Sequence, residues 1–120
     1  MPVLGLGTLR LKENEVAEVI KLAIQHGYRM IDTSPVYGNE RAIGDALSLC
    51  LQQGLVKRNE LFIVSKVWIK DRNNVADAVK QSLQNLRLDY FDLLLLHYMT
   101  PDLVEGTNLV ERVSLKEAWS

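Results

Sequence analysis

The sequence predicts an α/β fold in which parallel strands alternate with the helices that cover them. Short apolar runs alternate along the chain with segments whose apolar residues recur at helical spacing. The runs are apolar at nearly every position, as expected of parallel strands buried on both faces. Three of them lead into one ionisable residue each, Asp32, Lys66 and His97. These residues follow one another at intervals of roughly 30 residues, the length of one βα unit.

The first strand is predicted over residues 2–8 and opens into a glycine turn. Gly5 and Gly7 resemble the start of a dinucleotide-binding fingerprint, but Arg10 occupies the third glycine position and a charged stretch follows. We therefore interpret these glycines as positions where the backbone approaches other backbone or a ligand closely.

Three segments predict amphipathic helices. The first covers residues 14–25 and stops at Gly27, and the second ends near Gly54. Asn39 and Asn74 are expected to cap the second and third helices. The residues expected to face the core recur at helical spacing: Val16, Val19, Ile20, Ala23 and Ile24; Ile43, Ala46, Leu47 and Cys50; and Val75, Val79, Leu83 and Leu86.

The remaining strands are predicted over residues 29–32, 61–65 and 91–96. An open doubly wound sheet and a barrel would both gather the side chains at their carboxyl ends on one edge. The barrel is favoured because no phosphate-binding loop is seen. Since a (β/α)8 TIM barrel takes eight units and roughly 250 residues, the chain is predicted to be a partial barrel of about the first four βα units. It is treated as one domain, residues 1–120, truncated after the fourth strand.

Composition narrows the classes of function. Fourteen basic and 15 acidic residues give a net charge of −1, which does not favour nucleic acid or an anionic membrane as a partner. The longest apolar cluster, residues 93–96, is far shorter than the ~18 residues of a membrane span. A single cysteine and the absence of a recognisable signal peptide predict a cytoplasmic protein. Two histidines without a third ligand do not predict a metal site.

The ionisable residues suggest a proton-transfer site. A carboxylate at the end of a buried strand needs a cation, and Lys66 can provide it for Asp32. An ammonium ~4 Å from the Tyr37 phenolate would stabilise it by about 4 kcal/mol at an effective dielectric near 20. Tyr37 could then act as a general acid on a carbonyl oxygen, with a second hydrogen bond from His97. Since no side chain delivers hydride, a nicotinamide cofactor is implied.

Structural interpretations of the same residues stay open at this point. Asp32 and Lys66 can form an ion pair that only stabilises the fold, Tyr37 can be an ordinary loop aromatic, and His97 can be a core histidine with its hydrogen bonds satisfied.

Four groups of residues form specific motifs: residues 4–8, residues 27–33 with 37–40, residues 61–66 with Trp68, and residues 88–92 leading to His97. On these motifs the sequence resembles the aldo-keto reductase family over all 120 residues. The resemblance implies an eight-stranded barrel that reduces aldehydes and ketones, usually with NADPH. It also implies a catalytic tetrad in which Tyr37 is the proton donor and Asp32, Lys66 and His97 assist it.

The resemblance also implies residues that bind cofactor and substrate. Gly7, Thr8 and Leu9 match the backbone beside the nicotinamide, together with Asp32. The substrate pocket is implied to include Trp68, Tyr98 and His97.

The chain departs from the family pattern at several points. The family usually has an aromatic residue at Leu9 and a tryptophan at Tyr98, so an altered pocket is expected. A hairpin that normally precedes the position of Met1 is absent, as is the second half of the barrel, which would hold most of the cofactor.

Three hypotheses follow for the chain's function. The first is an NADPH-dependent carbonyl reductase of which this chain is an N-terminal fragment or truncated product. The second is a non-catalytic half-barrel that pairs with itself or another half through its open strand edges. The third is an inert product of a damaged or misassembled gene.

Overall fold

The computed structural model describes residues 1–97 of the protein. Within this part the elements alternate as predicted, with each strand followed by a helix until the last strand. Short 3-10 turns lie between several of them. The strands are β1 (Gly5–Gly7), β2 (Met30–Asp32), β3 (Phe62–Trp68) and β4 (Leu93–His97), and the helices are α1 (Glu13–Gln25), α2 (Glu40–Gln52) and α3 (Val75–Leu86).

The four strands form one parallel sheet in the order β1-β2-β3-β4. Each strand therefore lies beside the next strand in sequence, as in a segment of a barrel. The register places Gly7 beside Asp32 and Trp68 beside His97. The predicted α/β class is confirmed, and the carboxyl ends of all four strands lie on the same edge of the sheet.

The core lies between the helices and the sheet. Ile20 of α1 and Leu47 of α2 are fully buried with Ile31 and Ile63 of the sheet. Each such side chain contributes about 1.5–3 kcal/mol through burial. The predicted core residues of α2 are all buried, whereas Val75 at the start of α3 is exposed. The prediction at Val75 was wrong because α3 packs against the core through its second half, where Leu83 is partly buried and Leu86 is fully buried.

Every strand differs from the sequence prediction in at least one boundary, and the largest differences are in the first and third strands. The first strand covers three residues instead of 2–8, because β2 offers it only three residues to pair with, and Val3 and Leu4 are exposed. The third strand continues past Lys66 to Trp68, because β4 pairs with it along that length.

The predicted caps also differ in mechanism. Asn39 and Asn74 occupy the N-cap positions of α2 and α3, but neither side chain caps its helix. The Asn39 amide instead donates to backbone carbonyls of the loop after β1. Among residues 1–97, no helix is both long enough and apolar enough to cross a membrane.

Candidate active site

Asp32 and Lys66 form an ion pair at the carboxyl edge of the sheet. Asp32 is the last residue of β2, and it pairs with Val64 of β3. Lys66 lies two residues beyond Val64 on the same strand. The Lys66 ammonium donates to the Asp32 carboxylate and, at 2.9 Å, to the carbonyl oxygen of Thr33. The Lys66 side chain is 11% exposed and that of Asp32 is 40% exposed. The cation is thus nearly buried, while the carboxylate remains open to the mouth of the sheet.

Tyr37 reaches this pair from the loop that follows β2. A 3-10 turn, Pro35–Tyr37, begins with a proline whose fixed φ suits the first helical position. The Tyr37 N–H donates to the Ser34 carbonyl at 3.1 Å, and Gly38 ends the turn with a φ of 73°. The Lys66 ammonium lies 5.0 Å from the centroid of the Tyr37 ring. The loop thus places the phenol beside the buried cation.

His97 closes the cluster from the end of β4. Its ring meets Tyr37 edge-on at a centroid distance of 6.3 Å and Trp68 at 5.2 Å. Burial lowers the pKa of the His97 imidazole and the Lys66 ammonium lowers it further, whereas the Asp32 carboxylate acts in the opposite direction. The lowered pKa favours the neutral form of this imidazole.

The loop after β1 forms the adjoining wall. Gly7 pairs with Asp32, and a side chain at Gly7 would enter open space. Thr8 is fully buried, and both its N–H and its hydroxyl donate to the Asp32 carbonyl, at 3.2 and 2.8 Å. Leu9 is exposed. An accessible backbone surface therefore lies directly beside the Asp32 carboxylate.

Asn39 connects this loop to the one that carries Tyr37. Its side-chain amide donates to the carbonyls of Thr8 and Leu11, each at 2.9 Å. Asn39 is almost fully buried and lies two residues after Tyr37. The two loops are therefore held in one fixed arrangement.

The structure brings together most of the predicted site residues: Asp32, Tyr37, Lys66, His97 and Trp68 form the cluster, and Gly7 and Thr8 adjoin Asp32. Leu9 is exposed beside them in the chain, with no contact to the cluster among those described. Tyr98 lies outside the described residues. Within residues 1–97, no cluster of three or more His, Cys, Asp or Glu residues could hold a metal ion.

Sequence reasoning missed the residues that position the cluster. Thr33 supplies a carbonyl to Lys66, Ser34 contacts both Tyr37 and His97, and Asn39 joins two loops. One signal was available, because small polar residues that directly follow a buried strand must satisfy buried backbone groups. That signal does not indicate which group each residue binds.

The arrangement suits proton transfer to an oxygen atom. A buried cation lies beside a phenol, with a neutral imidazole at the same edge. Such groups stabilise charge that develops on an oxygen as its bonding changes.

A family model described as the aldo/keto reductase family matches residues 3–120. The chain belongs to this family. Among curated relatives, it is 48% identical over 101 residues to an NADP-dependent D-sorbitol-6-phosphate dehydrogenase of Malus domestica, covering 84% of the chain and 33% of the relative. It is 42% identical over 104 residues to methylglyoxal reductase DkgB of Escherichia coli O157:H7, covering 85% and 38%.

Solved structures of the family share the fold. A Bombyx mori aldo-keto reductase in complex with NADP superposes with a TM-score of 0.84 at 35% identity, covering 99% of this chain and 41% of that one. An aldose reductase from Schistosoma japonicum gives 0.78 at 42% identity, covering 84% and 34%. The predicted partial barrel is confirmed by these matches. The chain spans roughly a third of the length of the curated relatives it matches, 33% and 38% for the two above.

Proposed function

We propose that this chain supplies the proton-transfer site of an NADPH-dependent reductase that converts an aldehyde or ketone to an alcohol. The observation that carries the proposal is the convergence of Lys66, Asp32, Tyr37 and His97 at the carboxyl edge of the sheet. Such an edge is where barrel enzymes place their catalytic groups. The family assignment supports the same class of reaction.

In this mechanism Tyr37 is the general acid. Its phenol donates a proton to the carbonyl oxygen while hydride reaches the carbonyl carbon. The Lys66 ammonium stabilises the phenolate that remains, and the Asp32 carboxylate keeps that ammonium charged and oriented. His97 gives the same carbonyl oxygen a second hydrogen bond.

The cofactor is assigned to the surface beside β1 and β2. Gly7, Thr8, Leu9 and Asp32 would hold the nicotinamide end, because open backbone and a carboxylate adjoin the acid there. NADPH, when bound, supplies the hydride. The names of the apple relative and of the silkworm structure both include NADP, which supports this choice of cofactor.

The substrate is assigned to the side of the cluster that carries the aromatic residues. Trp68 packs edge-on against His97, so a carbonyl that accepts a hydrogen bond from His97 would lie near the indole. Tyr98 is proposed as a further wall of the pocket on the resemblance alone.

The substitution Tyr37→Phe, made in the whole natural protein, tests the proposal. This change removes the proton donor and keeps the ring, so turnover of a short aldehyde with NADPH should fall by at least ~10²-fold, as for loss of a general acid. His97→Gln keeps a hydrogen-bonding group and should lower turnover less. NADPH binding, measured by fluorescence, should survive both changes. Reduction by the Tyr37→Phe protein at the parent rate would assign the acid to another group.

A second candidate is a non-catalytic half-barrel that associates with itself or with another half. It is favoured by the described sheet, in which β1 and β4 are the edge strands and Leu94 and Leu95 of β4 are exposed. Unpaired edges of this kind invite strand pairing. Sedimentation at micromolar concentration tests it, since a stable, cooperative monomer would contradict association.

A further inference from the structure

Ser34 contacts two of the proposed catalytic residues. It is fully buried, two residues beyond Asp32. Its carbonyl accepts the N–H of Tyr37 at 3.1 Å, and its hydroxyl oxygen lies 3.3 Å from Nδ1 of His97. One small side chain therefore joins the loop of the acid to the end of β4.

The contact with Nδ1 bears on the tautomer of His97. A neutral imidazole carries one N–H, and the partner of one ring nitrogen determines which nitrogen holds it. The large majority of buried hydroxyls donate their hydrogen to an acceptor. Within residues 1–97, His97 Nδ1 is the acceptor that the structure gives to the Ser34 hydroxyl. Donation from Ser34 to Nδ1 leaves the imidazole hydrogen on Nε2.

We propose that Ser34 is a positioning residue that holds His97 as the Nε2–H tautomer. A carbonyl oxygen can only accept a hydrogen bond, so His97 must present an N–H to assist reduction. The inference rests on the proposed function, and it deepens that function by naming the group that makes His97 a donor. The edge-on contacts of Tyr37 and Trp68 limit rotation of the same ring.

The chain contains an internal reference for the tautomer. Nδ1 of His26, at the end of α1, lies 2.7 Å from the carbonyl oxygen of Leu22. Since that oxygen can only accept, Nδ1 of His26 must carry the hydrogen. The two histidines of the sequence are thus expected to be opposite tautomers.

The test is nitrogen NMR on the whole natural protein labelled with ¹⁵N-histidine. The spectra are recorded at mildly alkaline pH. Protonated and unprotonated ring nitrogens of a neutral imidazole have distinct shifts. We expect Nε2–H at His97 and Nδ1–H at His26 in the parent protein. In Ser34→Ala, the Nδ1–H form of His97 should become populated, and kcat/KM for an aldehyde should fall roughly 3- to 10-fold, the loss of one neutral hydrogen bond.

Ser65→Ala is the matched control. Ser65 is also fully buried in the sheet, and its hydroxyl has no hydrogen-bond partner among the described residues. Its removal should leave the His97 tautomer and kcat/KM unchanged. Equal losses of activity in both variants, with the His97 tautomer unmoved, would show that Ser34 acts only through packing.

If Ser34→Ala does not fold, the parent spectrum still tests the tautomer that the inference requires. Nδ1–H as the dominant form of His97 would overturn the inference. A protein that reduces no carbonyl would overturn the proposed function instead, because the tautomer is read without turnover.

Discussion

Two carboxylates of the protein lie in different surroundings, one at the carboxyl edge of the sheet and one between two helices. Asp32 binds the ammonium of Lys66 and keeps 40% of its side chain exposed. Glu40, the first residue of α2, is 6% exposed and is held by two neutral donors, the Ser82 hydroxyl and the Asn85 amide at 3.2 Å. Burial raises the pKa of Glu40, and the hydrogen bonds from Ser82 and Asn85 offset part of that rise.

The difference separates the proposed functional site from a structural cluster. At the carboxyl edge of the sheet, the Lys66 ammonium compensates the charge of the Asp32 carboxylate and also lies beside the Tyr37 ring. Between α2 and α3, the Ser82 hydroxyl and the Asn85 amide hold the Glu40 carboxylate and link the two helices. The bonding partner of a carboxylate and its exposure to solvent therefore indicate function better than its degree of burial alone.

Lys66→Met should produce the largest effect, because it removes the cation that pairs with Asp32 and lies beside Tyr37. Turnover should fall at least ~10²-fold, the scale of lost general-acid catalysis. Since Asp32 is 40% exposed, the free energy of unfolding should fall by less than the about 3–5 kcal/mol of a fully buried pair. Steady-state kinetics and urea unfolding measure the two effects.

Lys70→Met is the control, because Lys70 is an exposed lysine in the turn that follows β3. It should change neither quantity. If Lys66→Met behaved like Lys70→Met, the cation would have no special role and the contrast between the carboxylates would fail.

Gly44→Ala should produce the next largest effect, at the helical carboxylate. Gly44 lies one turn after Glu40, where α2 approaches α3 so closely that an added Cβ would meet the Asn85 carbonyl oxygen and lie 2.8 Å from the Leu86 Cα. Such overpacking typically costs 1–3 kcal/mol, and it would separate Glu40 from its donors. Thermal and urea unfolding should show the loss.

Asp45→Ala serves as its control on the adjacent, exposed position of α2. Its ion pair with Arg87 is exposed on both sides, so its removal should cost about 0–1 kcal/mol. An equally stable Gly44→Ala protein would mean that the two helices are not held at this separation.

Glu40→Gln should produce the smallest effect. A carboxyl with a raised pKa stabilises the fold most below its ordinary titration range, and that contribution is lost as pH rises through the pKa of the folded state. The variant lacks this titration, so its stability should improve relative to the parent as pH rises from about 4 to 7. At neutral pH the two should differ by only about 1 kcal/mol, since one acceptor oxygen remains. A parent whose stability difference from the variant does not change with pH would contradict the comparison.

The sequence predicted the cluster at the carboxyl edge of the sheet better than the cluster around Glu40, for physical reasons. Asp32, Lys66 and His97 are ionisable residues at the ends of apolar runs, and the parallel topology alone brings such positions together. Glu40 lies in the first turn of a helix, where acidic residues are common, so its position in the sequence does not distinguish it. Its burial depends on Ser82 and Asn85, more than 40 residues away.

Predicted strand boundaries were wrong where backbone pairing between strands, rather than the apolar composition of the segment, determines where a strand begins or ends. Asp92 illustrates this, because its carboxylate accepts the backbone N–H of Ile63 at 2.8 Å and the Arg58 guanidinium at 2.9 Å. The strand therefore begins after it, at Leu93, although Phe91 is as apolar as the residues that follow. Local sequence does not show which backbone group a carboxylate will satisfy.

The amide of Asn39 has a thermodynamic consequence for the two loops that it joins. Moving the backbone between Thr8 and Leu11 would break two hydrogen bonds of a residue that lies two positions from Tyr37. Order in one loop therefore lowers the entropic cost of order in the other. By linkage this coupling is reciprocal: a ligand that settles on the first loop fixes the second, and one held by the second tightens binding at the first by the same factor.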